Sequence, residues 1–575
     1  MRIRKTKTKN TTQYAIIYDV VINNKRTTKI YENLGTLDKI KIRSKDADPL
    51  IWLNDYVNNL NKKIKEESLP IILKKNPNKT IDKNHKVTFN AGYLFLQKVY
   101  YNLGINNICN SIENKYQFHY DLNKILSNLI YSRIIYPSSK LKTVELSNHF
   151  IEQPELEYND VLRSLDVISN EMDFIQSELY KNSLKYSNRN NNILYYDCTN
   201  FFFEIEQEDG LKQYGKSKEN RPTPIIQMGL FMDGDTIPLA FNINPGNTNE
   251  QVTLKPLEEK IINDFKNSKF VVCTDAGLAS EANRKFNNTN NRRFITTQSI
   301  KKLKGHLKEW CLDLTKGWKI YGKDKTYNIS QLRENKELIK KYKDTTFYKE
   351  RWINENGLEQ RLIVTYSVKY QEYQRNVRDR QIQRAEKLIE SNPKKIGKAK
   401  QNDPKRFINT IPVAEDGTVV ENHYEINESL INEESLYDGL YAVCTNLEDP
   451  VQDIIKINHN RWEIEESFRI MKSEFKSRPV YLSRDNRIKA HFTTCFLALV
   501  IFRYLEKILD NKYTVEEIID TLKNYNLKDE DGLGYSPLYE RTDLIDLLHE
   551  KFNFNTAYEI NETKKIKKIF QDIKK

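Results

Sequence analysis

The sequence predicts an α/β fold: a mixed β-sheet covered by helices, set between helical segments and interrupted by a β-rich insertion. Three observations predict it. First, ILYYDCTNFFFEI (193–205), PIIQMGLFMDGDTIPLAFNINPG (224–246) and KFVVCTDAG (269–277) are short β-rich runs separated by turns. The MDGD turn makes a hairpin of the middle run. Second, QVTLKPLEEKIINDF (251–265) has helical periodicity and precedes the third run, while SEANRKFN (280–287) follows it and leads to RRFITTQ (292–298). Three strands, then helix, strand, helix and strand, give a mixed sheet with helices on its faces. Third, the flanking stretches repeat their apolar residues at the helical period.

Each element can be justified in order. Residues 14–35 (YAIIYDVVINNKRTTKIYENLG) alternate about the turn-prone pair Asn23–Asn24 and read as a β-hairpin. A helix starts near Asp48, and KKNPNKTIDKN (74–84) reads as a linker. From about residue 90 to 188 the pattern is helical throughout. The sheet follows from 191. Between about 300 and 435 lies an insertion with β-like pieces (WKIYGKDKTYNI, TTFYKERWI, LEQRLIVTYS) and a basic segment, 369–406, holding 12 Lys and Arg against 5 Asp and Glu. YDGLYAVCTNL (437–447) reads as a strand returning to the sheet, and NRWEIEESFRIMK (460–472) as a helix directly after it. The division expected is therefore 1–75, hairpin and helix; 76–190, a helical domain; 191–510, the sheet domain with its insertion; and 511–575, a helical tail.

Composition narrows the function classes. With 38% hydrophobic and 11% aromatic residues, the 575-residue chain can bury a sizeable core, which excludes wholesale disorder. Lys and Arg outnumber Asp and Glu by 92 to 79, a net +13 that suits a polyanionic partner, most simply nucleic acid. A codon bias toward Lys, Asn and Ile would give the same excess. The six cysteines (109, 198, 273, 311, 444, 495) form no CxxC pair and are expected to be reduced thiols of a cytoplasmic protein. The N-terminus MRIRKTKTKN lacks the apolar segment of a signal peptide. The longest apolar run, FTTCFLALVIF (492–502), is too short to span a bilayer and reads as a buried helix, so no membrane partner is expected.

Three carboxylates stand out by position. Asp197 follows the apolar run ILYY, and Asp275 follows FVVCT. An acid at the end of a buried strand costs desolvation energy unless a metal ion or a paired cation offsets it. A turn or cap aspartate would also explain either one alone. Glu465 lies in the helix 460–472. At about 100° per residue, Ile457, Ile464, Phe468, Met471 and Phe475 gather on one face, and Arg461, Glu465 and Lys472 line its border. Glu463 and Glu466 point elsewhere, as surface charges. An Arg461–Glu465 ladder at i,i+4 spacing is the plain alternative. Two strand-borne aspartates and one helix-borne glutamate are the ligand set that two Mg²⁺ ions use for in-line displacement at phosphorus, with Mn²⁺ as a substitute. Arg461 and Lys472 would then hold DNA phosphates.

At these residues the chain resembles the DDE transposases of bacterial insertion sequences, in the group with a Tyr-x2-Arg-x3-Glu-x6-Lys signature. YYDCTNFFFE (195–204), PIIQMGLFMDGDTIPLAFNINPGNTNE (224–250), VVCTDAG (271–277) and NHNRWEIEESFRIMKSEFKSRPVY (458–481) carry the resemblance, with RIKAHFTTCFLALVIF as the closing helix. It covers roughly 190–510. It implies a ribonuclease-H-like catalytic domain, with Asp197, Asp275 and Glu465 as the metal-binding triad. It also implies excision at transposon ends and strand transfer into target double-stranded DNA. Arg461 and Lys472 match the signature's Arg and Lys; its Tyr falls at Asn458, a departure. A homodimer on DNA, associated with the nucleoid when bound, is the expected assembly.

Further candidates lie outside the signature. Lys212, Lys216, Lys218 and Arg221 form a loop that would grip phosphate or simply be solvated. Trp310, Trp318 and Trp352 would stack on an unpaired base or pack in a core. Asp233 and Asp235 read as turn residues. A ribonuclease-H-fold nuclease that cuts without joining, or a non-catalytic DNA-binding derivative of a transposase, are the alternatives for the whole chain.

Overall fold

The computed structural model describes residues 1–7, 11–22, 25–45, 48–66, 77–78, 80, 82–83, 85–289, 291–391, 403–415 and 419–575. The Asn23–Asn24 turn, most of the 74–84 linker, and residues 392–402 of the basic segment lie outside them. The chain forms two compact units, 1–85 and 86–575.

The first unit is a three-stranded antiparallel sheet, β1 (Arg2–Lys7), β2 (Thr12–Ile22) and β3 (Lys25–Thr36), followed by α1 (Leu37–Ser44) and α2 (Pro49–Glu66). The hairpin and the helix are where the sequence puts them; β1 is an addition. Its alternation RIRKTK is mostly charged and exposed, as suits an edge strand that must not pair further. Asp48 caps α2, its Oδ1 accepting the amides of Leu50 (2.8 Å) and Ile51 (3.1 Å). Tyr14, Ile16, Leu34, Ile40, Leu53 and Val57 make the unit's own small core.

The second unit opens with β4 (Thr88–Asn90) and six helices: α3 (Tyr93–Asn102), α4 (Ile105–Tyr116), α5 (Leu122–Ile135), α6 (Lys140–Ser147), α7 (Tyr158–Asn170) and α8 (Met172–Tyr186). The sheet then begins with β5 (Ile193–Phe202), β6 (Ile225–Asp233) and β7 (Pro238–Pro245), an antiparallel series. Helix α9 (Leu254–Asn263) crosses over to β8 (Phe270–Thr274), which runs parallel to β5. Helix α10 (Glu281–Phe286) leads to β9 (Arg292–Thr297), parallel to β8. This mixed order, β7-β6-β5-β8-β9, fits the ribonuclease-H-like sheet that the resemblance implies.

The insertion continues the same sheet. After α11 (Gly305–Leu312) come β10 (Trp318–Ile320), β11 (Lys323–Tyr327), α12 (Lys336–Lys341), β12 (Thr346–Glu355), β13 (Leu358–Ser367) and α13 (Val368–Ser391). A separate hairpin, β14 (Ile408–Glu415) and β15 (Val419–Ile426), and α14 (Glu428–Ser435) precede the returning strand β16 (Leu440–Thr445). Strand β16 pairs antiparallel with both β9 and β13, joining the two halves into ten strands. Trp318, Phe347, Leu362 and Tyr366 center the core of this half.

Two helices, α15 (Val451–His459) and α16 (Trp462–Arg469), then a π-helical turn at Ile470–Glu474, lead to α17 (Asp485–Ile508). Helix α17 is apolar and long enough to cross a membrane by length and composition, but 94% of that stretch is buried inside the protein, which makes it a core helix. It packs on α7, α5 and α3 and reaches β7. The chain closes with α18 (Val515–Asn524), β17 (Asn526–Asp529), β18 (Tyr535–Pro537), α19 (Asp543–Phe552) and α20 (Thr563–Ile573). Strand β17 pairs with both β18 and β4. Residues 86–190, the sheet and the C-terminal stretch share one hydrophobic core with α17 at its center, because no segment alone covers that helix.

Candidate acidic site on two adjacent strands

Strand alternation aims the first aspartate. Leu194, Tyr196 and Cys198 of β5 pack under α9, whereas Tyr195 and Phe201 join the core on the α17 face. Asp197, two residues beyond Tyr195, points to that second face. In the parallel pairing of β5 with β8, Tyr195 stands opposite Cys273. Asp197 and Asp275 are each two residues further on, so the two acids leave the sheet side by side. Helix α16 lies against β5 and carries Glu465.

The electrostatics follow from this packing. Burial raises the Asp197 carboxyl to about 6; the neighboring charge of Asp275 adds to the rise, while Lys218 and Arg461 oppose it. Its Oδ1 accepts the Cys198 amide at 2.8 Å. Asp275 also serves the turn after β8, its Oδ1 accepting the amides of Gly277 (2.9 Å) and Leu278 (3.1 Å). The turn role weighed from the sequence is real, and it coexists with the pairing to Asp197.

Glu465 takes a different place. Its side chain is 60% exposed, and its Oε1 accepts from Arg461 Nη1 at 3.1 Å. The Arg461 guanidinium is the shared cation of the site: although burial opposes it, Glu465, Tyr441, Asp197 and Asp275 together hold its pKa above the usual value. Among the described residues, no three His, Cys, Asp or Glu side chains stand together as a metal-holding group. Asp197 and Asp275 thus stand as a pair, and Arg461 holds Glu465 one step away from them. Two adjacent hard-oxygen donors with mutually repelling charges fit a divalent cation; Glu465 in this rotamer is not a third donor.

The single charged stripe expected along 460–472 is also corrected. The helix breaks at Asn460, between α15 and α16, and turns to π geometry at 470. Lys472 therefore points inward while Glu465 points out. Its Nζ donates to Thr199 Oγ1 at 2.8 Å and lies 3.4 Å from Glu219. Burial and the charge of Lys218 lower it to about 8, against the pull of Asp197. Glu463 is not a plain surface charge either, since it is half-buried 3.6 Å from Arg503. Glu466 pairs with Arg469 at 2.7 Å.

Of the basic loop, Lys218 joins the site. It donates to the Cys198 carbonyl, pairs with Glu250 at 3.3 Å and faces Asp197. Lys216 is exposed. Arg221 stacks on Phe202 at 4.4 Å, and Arg478 lies over the same ring at 5.4 Å. Lys212 is buried, tied to Asp209 (3.0 Å) and to the Ser483 carbonyl (2.7 Å), so it holds structure rather than phosphate. Glu219 and Glu250 are members that sequence reasoning missed. Glu250 ends the quoted motif 224–250 and opens a short 3₁₀ turn, and Glu219 lies in the basic loop; no periodicity marks either.

Asn458, where the signature has Tyr, is buried. Its Nδ2 donates to the Tyr441 hydroxyl at 2.7 Å, which also shares a hydrogen bond with Thr297 at 2.8 Å. A phenol from β16 thus stands near Arg461. Of the three tryptophans, Trp318 is buried, Trp310 lies under Lys349 and Arg351, and Trp352 is 46% exposed. Asp233 is a buried turn residue paired with Arg189 at 2.6 Å.

A mixed sheet that presents two carboxylates from adjacent parallel strands, ringed by lysine and arginine, defines an α/β protein with an acidic site suited to phosphate chemistry. The particular family follows from comparison. A model of the transposase DDE domain matches residues 197–501. The chain belongs to that family, which places it among the DNA transposases and the enzymes that cut and join DNA, generally with divalent metal ions. No curated protein matches the chain. Among solved structures, it is similar to a piggyBac transposase synaptic complex with hairpin DNA, at 8% identity and TM-score 0.36 over 84% of each chain. It is also similar to a Mos1 transposase paired-end complex with the left transposon end, at 11% identity and TM-score 0.13, over 43% of this chain and 71% of that one.

Proposed function

We propose that this transposase cleaves the ends of its element and joins them to target double-stranded DNA, with Asp197, Asp275 and Glu465 as its metal-binding residues. The observation that supports the reading best is the register of β5 and β8, which sets Asp197 beside Asp275 in the matched domain. Asp197 and Asp275 would hold Mg²⁺, and Glu465 would join them by exchanging its partner Arg461. The bound ions would activate the attacking water or 3′-hydroxyl and stabilize the leaving oxygen. Ionized Asp197 is the form that binds, so its carboxyl must lose its proton. Lys218 and Lys472 hold the phosphate that approaches Asp197, and Arg461, once released, neutralizes a neighboring phosphate. Thr199 and Glu219 orient the Lys472 amine. Lys216 and Arg221 extend the basic surface along the loop. A homodimer holding two ends is the assembly proposed. The six cysteines, all free and buried, suit the cytoplasm.

The test is a strand-transfer assay with purified protein, Mg²⁺ and labeled DNA from the flanks of its own gene, with a second duplex as target. Joined products are expected. Cleaved ends that never join would favor a cutting nuclease instead.

A further inference from the structure

A second basic site lies away from the carboxylates. It is a cavity of about 640 Å³ between the start of α6 and the segment after the π turn. Five cations line it (Arg133, Lys140, Lys142, Lys476 and Arg478), and no carboxylate does. Two acids pair with lining cations: Glu145 with Lys142 at 2.8 Å, and Glu219 with Arg478. Arg133 is buried and donates only to carbonyls, those of Ser138 (2.9 Å), Phe475 (3.2 Å) and Lys476 (3.4 Å), while its Nε has no partner. His491, also facing the cavity, is kept neutral by burial and by Arg133 and Lys140; its Nε2 meets the Ser477 carbonyl at 3.1 Å.

Lys140 is the telling residue. It is only 6% exposed and lines the cavity, and no hydrogen-bond or ion-pair partner serves its ammonium among the described residues. An ammonium with no protein partner, on a buried lysine beside a buried guanidinium, favors an anion in the cavity. Burial and Arg133 lower its pKa to about 7, which a phosphate would reverse. The rim is of another kind: Tyr158 and Tyr481 are 36% and 72% exposed. Two buried cations, Arg133 and Lys140, with exposed Lys142 and Lys476 and two aromatic rings toward the mouth, match a phosphate with its sugar and base. Arg478 shares Glu219 with Lys472, whose amine lies by Asp197, so a strand held at the carboxylates is led toward this cavity.

We propose that the cavity formed by Arg133, Lys140, Lys476 and Arg478 is a binding site for a backbone phosphate of the DNA strand engaged at Asp197 and Asp275, with Tyr158 and Tyr481 contacting the adjoining nucleotide. The inference rests on the transposase reading.

The test uses the full chain and a labeled duplex, with binding followed by anisotropy across a KCl series. Lys140→Met should weaken binding several-fold and reduce the slope of log K against log salt by about 0.9, one phosphate contact. Lys140→Arg should keep the slope. In parallel, wild-type protein is acetylated and Lys140 modification is read by mass spectrometry. DNA should protect Lys140, and inorganic phosphate at the same phosphate concentration should not. An unchanged slope in Lys140→Met, with wild type binding normally, would overturn the site and leave the transposase reading standing. Protection by inorganic phosphate but not by DNA would overturn it in favor of a small-anion site. If wild type binds no DNA at all, the transposase reading itself fails. Should Lys140→Met not fold, the acetylation result on wild type decides.

Discussion

Arg461 Nη1 lies 3.1 Å from Glu465 Oε1, and the same guanidinium faces Asp197 and Asp275. One cation thus stands between the acid on the helix and the two on the sheet. Because the Glu465 side chain is 60% exposed, this pair contributes only about 0.5 kcal/mol or less to stability. Glu465→Gln should leave the melting temperature nearly unchanged while abolishing strand cleavage. A clear fall in melting temperature with cleavage retained would mark the pair as a structural ladder and no more.

Lys472 reaches into the site from the π turn, its ammonium between Thr199 and Glu219. Lys472→Ala should weaken DNA binding and lower the salt slope by about 0.9, since one phosphate partner is lost. Binding isotherms across a salt series give the slope; one equal to wild type removes Lys472 from the phosphate contacts.

Glu258 on α9 is fully buried. Its Oε1 accepts from Asn287 at 2.7 Å, its Oε2 has no partner, and burial raises its pKa to about 8. The folded state therefore keeps a proton that the unfolded chain loses near pH 4.5. Stability from this group is complete below that pH and is lost as pH rises toward 8. Glu258→Gln removes the dependence. The melting temperature of the variant relative to wild type should rise between pH 5 and pH 8, and a constant difference would contradict the shift.

Gly439 precedes β16 with φ +80, and a Cβ there would lie 2.7 Å from the Tyr366 ring. Gly439→Ala should destabilize the protein by about 1–3 kcal/mol, through both the left-handed backbone and the clash. Denaturant titration measures this. An alanine variant as stable as wild type would show that the turn relaxes freely.

Much of the sheet was legible because its strands are buried on both faces. The apolar runs ILYY and FVVCT end at Asp197 and Asp275, and an acid after such a run is conspicuous. The alternation of strands and helices indicated a mixed sheet but not its strand order. What escaped notice has physical reasons. The charged edge strand β1 resembles a tail, because edge strands shed apolar residues. The break at Asn460 and the π turn at 470 left the apolar period nearly intact, so the sequence read as one helix while Lys472 and Glu465 went to opposite sides. Long-range pairings such as Asn458–Tyr441 and Lys472–Glu219 join residues far apart in sequence, and no local pattern encodes them. The insertion's strands were visible as β-like pieces, but their fusion to the main sheet through β16 depends on pairing partners that periodicity does not specify.

Cleavage of labeled end DNA by wild type, Asp197→Asn and Asp275→Asn, with and without Mg²⁺, tests the central claim most directly when DNA binding is measured on the same samples. The account predicts Mg²⁺-dependent cleavage by wild type alone, with both variants still binding DNA. Cleavage at the wild-type rate by either variant would contradict it.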